Sequence, residues 1–394
     1  MAWNRTLFLI ALAAIAAAIV GCKSPGPNAA GAGNGGSGKI IIGHYASMSG
    51  DDAVFGTTTD HGAKLAVEEI NAAGGVLGRQ IELITLDTRS TDVGVPPIID
   101  RFYQEGATAI VGEVASGRTL AAAPKVEAYG IPMVSPSSTN VRVTVDPDRG
   151  VRKWVFRTCF IDPFQGEVIA RFAHGKLGKR RAAILFDRAQ PYSVGLAESF
   201  KQNFIRLGGQ VVAEEGYTKD DQEFGSQLTR IKGLDPDVLI VPGYYSQVKL
   251  IVTQARGRGL DVPIVGGDGW DDPQGLTRGA EQAFKDTYFV NHFSPLEERE
   301  GVRQFVEAYR QRWQEDPNAL AALGYDAVQL VADAIKRAGS TDRTAVRDAL
   351  EKTQNYAGVT GTISVDAQHN PRKTAVVVKA EGSPFPLVDV YPPQ

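Results

Sequence analysis

From Lys39 onward the chain alternates strand-like and helix-like stretches, which leaves it very few architectures. Lys39–Tyr45 is rich in β-branched residues and reads as a strand. Thr57–Ala73 follows, with Ala63, Ala66, Val67 and Ile70 on one helical face, and Gly74 and Gly75 close it. Gln80–Leu86, Thr108–Gly112 and Ile131–Ser135 read as further strands, separated by helices at Pro96–Gly106 and Thr119–Tyr129. Parallel neighbours need crossovers of this length, so the alternation predicts a parallel sheet with helices on both faces.

A second unit of the same kind begins after Arg157. Helices at Phe164–Leu177, Tyr192–Leu207, Phe224–Gly233 and Ser246–Gly259 alternate with strands at Ala182–Asp187, Gln210–Glu215, Val238–Pro242 and Pro263–Gly266. The rhythm then changes. Helices Glu298–Gln314, Leu320–Ala338 and Arg343–Thr353 precede short strands near Gly361–Val365 and Thr374–Lys379. The expected fold class is α/β, with two βα units as analogous halves. With 43% hydrophobic and 22% charged residues, the chain is globular and each half can bury a core. A net charge of −3 without a dense basic patch argues against nucleic acid as a partner.

The first 38 residues are of another kind. Arg5 precedes an unbroken apolar run from Leu7 to Val20, followed by Gly21 and Cys22. The run is too short to span a bilayer and reads as the core of a signal peptide, residues 1–21. Ile19-Val20-Gly21-Cys22 resembles a lipobox, the site at which bacterial lipoproteins are lipidated on Cys and cleaved before it. Residues 22–38 then form the lipidated Cys and a flexible Gly/Ser/Pro tether. Gly33–Lys39 has the spacing of a phosphate-binding loop, but Ile40 replaces the metal-binding hydroxyl and a strand follows instead of a helix. The expected location is the periplasm or cell surface, with the lipid holding the protein to a bacterial membrane.

Catalytic signatures are missing. The five histidines show no metal-ligand spacing, no G-x-S-x-G elbow occurs, and no G-x-G-x-x-G follows the first strand. Neither an enzyme activity nor a cofactor or metal is expected. With Cys22 lipidated, Cys159 is left without a partner and sits among apolar residues as a buried inert thiol.

Ligands of open parallel sheets bind outside the carboxyl ends of strands. Two of those ends carry hydroxyls at the start of a helix or turn: Glu113–Thr119, which includes Ser116, and Ser135–Asn140, which includes Ser137 and Thr139. Such segments either cap helices or receive a carboxylate or phosphate. In the second half, Asp268 lies among glycines after a strand, as a turn residue or as an acceptor for an ammonium group. Tyr192, Tyr244 and Trp270 stand near strand ends, where aromatics either fill the core or stack on a ligand.

Several of these segments resemble the leucine/isoleucine/valine-binding type of periplasmic binding protein. The resemblance rests on Gly43–Gly50 with Phe55-Gly56, on Gly62-Ala63, on Ala66–Gly78 reaching Asp87, and on Phe156-Arg157-Thr158. It continues in Asp162, Gln165-Gly166 and Gly324–Ala327, and covers about Lys39 to Asn370. It implies two lobes joined by three crossings that close like a clam: 39–158 with 291–356, and 159–290 with 357–394. It also implies an ABC importer permease as partner, a monomeric binding protein, and an α-amino acid as ligand. Ser116, Ser137 and Thr139 would hold its carboxylate and amine, and Asp268 its ammonium, where the leucine-type protein has Glu. Phe55, Tyr192 and Tyr244 match aromatic positions of the cleft, and Val114 an apolar wall. Ser137 replaces an Ala of the branched-chain binders, which makes the site more polar, and Ala115 replaces one half of a disulfide. A binder of amides, urea or aromatic acids, or a ligand-sensing receptor subunit, are the other readings.

Overall fold

The structure, a computed structural model, describes residues 38–393. The expected signal peptide, Cys22 and the tether up to residue 37 lie outside the described residues. None of the described helices is long and apolar enough to cross a membrane.

The first half builds β1 (Ile40–Ala46), α1 (Ala53–Ala72), β2 (Ile81–Asp87), α2 (Val95–Gln104), β3 (Ala109–Val111), α3 (Ser116–Tyr129) and β4 (Met133–Ser135). A small hairpin, β5 (Val145–Asp146) with β6 (Gly150–Val151), leads to β7 (Val155–Arg157). The sheet order is β2-β1-β3-β4-β7, parallel throughout. The second half follows with α4 (Asp162–Arg171), β8 (Arg181–Asp187), α5 (Pro191–Arg206), β9 (Gln210–Tyr217), α6 (Gly225–Gly233), β10 (Val238–Val241), α7 (Tyr245–Gly257), β11 (Ile264–Gly266) and β12 (Thr287–Asn291). Its parallel part runs β9-β8-β10-β11-β12, the same winding as the first sheet. The chain then returns to the first lobe as α8 (Glu300–Trp313), α9 (Ala319–Ala338), α10 (Arg343–Glu351) and the hairpin β13 (Tyr356–Gly358) with β14 (Gly361–Ile363). It ends in the second sheet as β15 (Ala375–Lys379) and β16 (Leu387–Tyr391), both antiparallel to their neighbours.

Both sheets are covered on two faces. In the first, Ile40, Ile42 and Val111 pack on α1 and α9, while Ile110, Met133 and Val155 pack on α2 and α3. In the second, Ile184, Ile240 and Val265 meet α4 and α5, and Leu185, Leu239 and Ile264 meet α6 and α7. Two glycines bring α1 and α9 together. A Cβ on Gly62 would stand 1.9 Å from Ala321 O, and one on Gly324 2.5 Å from Thr59 O.

The chain crosses between the sheets three times: after β7, after β12 and between β14 and β15. The last crossing lies later than the expected boundary at 356. Ile363 and Val365 belong to the core of the first sheet, because buried Asp326 of α9 accepts hydrogen bonds from Val359 N (2.7 Å) and Thr360 N (2.8 Å) and holds the hairpin there. Among the strands of the two main sheets, three escaped the sequence reading: β7, β12 and β16.

Candidate functional site

The winding of each sheet reverses beside its first strand, and chains wound this way bind ligands at the carboxyl ends next to that reversal. The loops after β1, β3 and β4 on one lobe face those after β8, β10 and β11 on the other. All the candidate residues from the described part lie on these six loops or on the helix that each opens.

On the first lobe, the loops after β3 and β4 are stitched together by hydroxyls. Ser116 opens α3, and its Oγ accepts from Asn140 N (3.2 Å). Ser138 Oγ bonds Glu113 O (2.9 Å) and Thr119 Oγ1 (2.6 Å), and Ser135 Oγ donates to Glu113 O (2.8 Å). This network positions Ser137 and Thr139 beside the amino end of a 14-residue helix, where backbone N–H groups and the helix dipole favour an anion.

A charged cluster beside these loops escaped the sequence reading. Arg118 donates from Nε to Glu113 (2.8 Å) and from Nη1 to Asp52 (2.9 Å), with all three side chains buried. Glu113 also accepts from Ala115 N (2.9 Å) and Ser47 Oγ (2.5 Å). The guanidinium lies between two carboxylates, and its Nη2 is buried with no hydrogen-bond partner among the described residues. Burial acts against ionisation of Asp52 and outweighs the pull of Arg118.

On the second lobe, Asp268 is the centre. Its Oδ1 accepts from Gln165 Nε2 (2.7 Å), and its Oδ2 from His292 Nε2 (3.0 Å) and, across the cleft, from Ser137 Oγ (3.3 Å). The Ser137 hydroxyl is therefore turned toward the carboxylate. Gly269 N donates to Tyr192 OH (3.1 Å), and Tyr192 stacks on Tyr244 with centroids 5.3 Å apart. Phe55 of the first lobe meets Tyr244 edge-on at 5.2 Å. Phe55, Val114, Ala115, Tyr192, Tyr244 and Leu320 share one buried cluster, so the two lobes meet through an apolar wall. The Tyr244 hydroxyl is buried with no hydrogen-bond partner among the described residues. Burying such a group unpaired is unfavourable, so a polar ligand atom is a natural complement.

Burial dominates the titration of the surrounding groups. It pushes Asp162 up to about 8, with the negative charge of Asp268 adding to the effect and Thr139 and Arg157 opposing it. It lowers His292 below its ordinary value despite the neighbouring Asp268. Cys159, which the sequence reading took as inert, is buried and its thiol is pushed up to about 12.

Trp270 does not join the group. It lies in the core against α6 and α7, its ring over Gly266 and its Nε1 donating to Val241 O (3.0 Å). The reason is local: Asp268–Trp270 is a turn of 3₁₀ helix, in which side chains two positions apart point in different directions. Gln165, His292 and Leu320 are among the residues at the cleft that were not singled out as its ligands.

Comparison with known proteins agrees with the fold. Residues 39–384 match the family described as periplasmic binding protein. The chain is 38% identical to the leucine binding protein LivK of Thermotoga maritima, with a TM-score of 0.85, over 90% of this chain and 99% of that one. It is 37% identical to the branched-chain amino acid transporter substrate binding protein LivJ of Streptococcus pneumoniae, solved in complex with isoleucine, with a TM-score of 0.82 over 89% of this chain and 99% of that one. The leucine-, isoleucine-, valine-, threonine-, and alanine-binding protein of Pseudomonas aeruginosa is 28% identical over 320 residues, 81% of this chain and 83% of that protein.

Proposed function

The chain belongs to the periplasmic binding protein family, and on that premise we propose that it is the lipid-anchored solute-binding component of an ABC importer, with an α-amino acid as its ligand. The reading rests above all on Asp268, a buried carboxylate that faces the hydroxyl loops of the other lobe through Ser137. The amino end of α3, with Ser116, and the Ser137–Thr139 loop supply donors for the α-carboxylate. Closure brings Asp268 onto the ammonium and the Tyr244 hydroxyl onto the ligand. The wall of Phe55, Val114, Ala115, Tyr192 and Leu320 suits a small or branched aliphatic side chain. The names of the relatives point the same way, and that of the Pseudomonas aeruginosa protein extends to threonine and alanine. Lipidation of Cys22 would hold the clam near its permease.

Calorimetry tests the ligand class. Leucine, valine, threonine and alanine are titrated into the full-length protein in detergent, beside the corresponding amides and des-amino acids. A charge-assisted hydrogen bond is worth about 1.5–3 kcal/mol, so Asp268→Ala is expected to weaken the amino acid about 10- to 150-fold and to leave the des-amino acid nearly unchanged. Absence of binding by every amino acid overturns the reading. Equal losses for amino and des-amino acids remove Asp268 from its assigned role.

A further inference from the structure

The carboxylate proposed to meet the ligand's ammonium is not held by its own loop. Its two oxygens take donors from two other elements of the second lobe. Gln165 sits one turn into α4, just after the first crossing, and His292 immediately follows β12, where the second crossing begins. An ionised carboxylate only accepts hydrogen bonds, so the Nε2 of His292 must carry the proton. The other ring nitrogen, Nδ1, is buried and has no hydrogen-bond partner among the described residues, as suits a neutral ring protonated on Nε2 alone. The ring also stacks on Phe160 of the first crossing, with centroids 3.7 Å apart and planes 28° from parallel. Phe160 and His292 are both buried, so neither ring can turn away into solvent. One imidazole thus touches the two crossings and the carboxylate at once.

We infer that His292 is a positioning residue for Asp268: its Nε2–H fixes the carboxylate plane so that the remaining lone pairs face the first lobe, and its stack on Phe160 fixes the imidazole to the hinge. Gln165 supplies the second restraint, on the other oxygen. The arrangement keeps a short Asp side chain, with one methylene fewer than Glu, aimed into the cleft. The inference rests on the amino-acid reading of the site.

Two variants separate its parts. His292→Phe keeps a ring for Phe160 and removes the donor. His292→Gln keeps an N–H at nearly the same reach and removes the stacked ring. Each full-length variant is titrated with whichever of leucine, valine, threonine and alanine binds the wild type most tightly, and with the des-amino acid of that ligand. His292→Phe is expected to weaken the amino acid about ten-fold or more while moving the des-amino acid less than two-fold. His292→Gln is expected to restore the ratio of the two affinities to within three-fold of the wild type. Should His292→Phe fail to fold, Gln165→Met removes the other donor and is expected to lower the same ratio. Wild-type discrimination in His292→Phe, or equal losses for both ligands in either His292 variant, overturns the positioning role and leaves the amino-acid reading intact. A wild type that binds no amino acid overturns both.

Discussion

The mouth of the closed cleft carries a latch that can be cut without touching the proposed ligand site. Tyr245 is the first residue of α7 on the second lobe, and its hydroxyl reaches the start of α1 on the first. It donates to Asp51 O (2.7 Å) and accepts from Val54 N (3.4 Å). Its ring meets Phe55 edge-on at 5.1 Å, an apolar contact that Tyr245→Phe preserves. The substitution therefore removes the hydroxyl bonds alone. A neutral, partly exposed hydrogen bond contributes about 0.5–1.5 kcal/mol, and about 1 kcal/mol corresponds to roughly a five-fold change in the ratio of closed to open forms.

For a ligand that is fully held only in the closed form, a lower closed population weakens apparent affinity in proportion. Tyr245→Phe is expected to raise Kd about five-fold. The change should appear in the off-rate, because ligand meets the open form first and that form lacks the latch. Stopped-flow fluorescence gives both rates, and small-angle scattering of the ligand-bound protein reports the shift toward an open shape. An unchanged off-rate, or a loss confined to the on-rate, would refute a latch at Tyr245.

Two further predictions concern stability. Asp162 is buried, with its carboxyl pushed up to about 8 by burial and by the charge of Asp268, so the folded state keeps a proton that the unfolded chain releases near pH 4. Its favourable contribution is complete below about pH 4 and is lost as pH rises through about 8. Relative to Asp162→Asn, the wild type should therefore lose about 1.4 kcal/mol per pH unit across that window, roughly 5 kcal/mol in all, in urea titrations at a series of pH values; parallel profiles would contradict it. Gly62→Ala places a Cβ 1.9 Å from Ala321 O, a backbone atom that cannot rotate aside, so α1 and α9 must part. A loss of about 3 kcal/mol or more is expected in chemical denaturation, and a loss below about 1 kcal/mol would show that the helix pair yields easily.

The α/β alternation was legible because each crossover helix announces the strand after it. Where that helix is missing, the sequence reading failed. Residues 267–286 connect β11 to β12 through short 3₁₀ turns, and β12 went unseen. His292 follows β12 directly, so its place at the cleft was invisible as well. Gln165 carried part of the family resemblance, yet nothing in a linear reading links it to Asp268, 103 positions away. Asp52 follows β1, whereas Glu113, and Arg118 of α3, follow β3, and only the sheet order brings them together. Trp270 failed for a local reason, since a tight helical turn reverses the direction its neighbour Asp268 takes. Strand ends and their small hydroxyl residues are written in sequence, but the partners that orient them come from elements far along the chain.

Those partners explain how a two-lobed cleft can close without remaking its own contacts. On the first lobe, the loop that carries Ser137 and Thr139 is held from behind by Arg157, the last residue of β7. Its guanidinium donates to Ser138 O (2.6 Å), to Asn140 O (3.0 Å) and to Thr144 Oγ1 (3.0 Å). Thr144 in turn donates to Asn370 Oδ1 (2.9 Å), and His369 stacks on Phe156 at 4.1 Å, which fastens the third crossing to the same strand. On the second lobe, Asp268 is held by His292 at the second crossing and by Gln165 after the first. Each half of the proposed site is therefore braced by residues at the root of the hinge instead of by its own exposed loop. Rotation about the crossings can carry each half as a preformed unit, so little of the binding energy need go into ordering side chains. Contacts between the lobes include Ser137 to Asp268, Tyr245 to Asp51, Asn140 Nδ2 to Pro191 O (2.7 Å), Asn318 Nδ2 and Ala319 N to Asp271 (3.0 and 2.8 Å), and the edge of Phe55 on Tyr244. A ligand shifts the balance between open and closed only by the contacts that it makes in one form and lacks in the other.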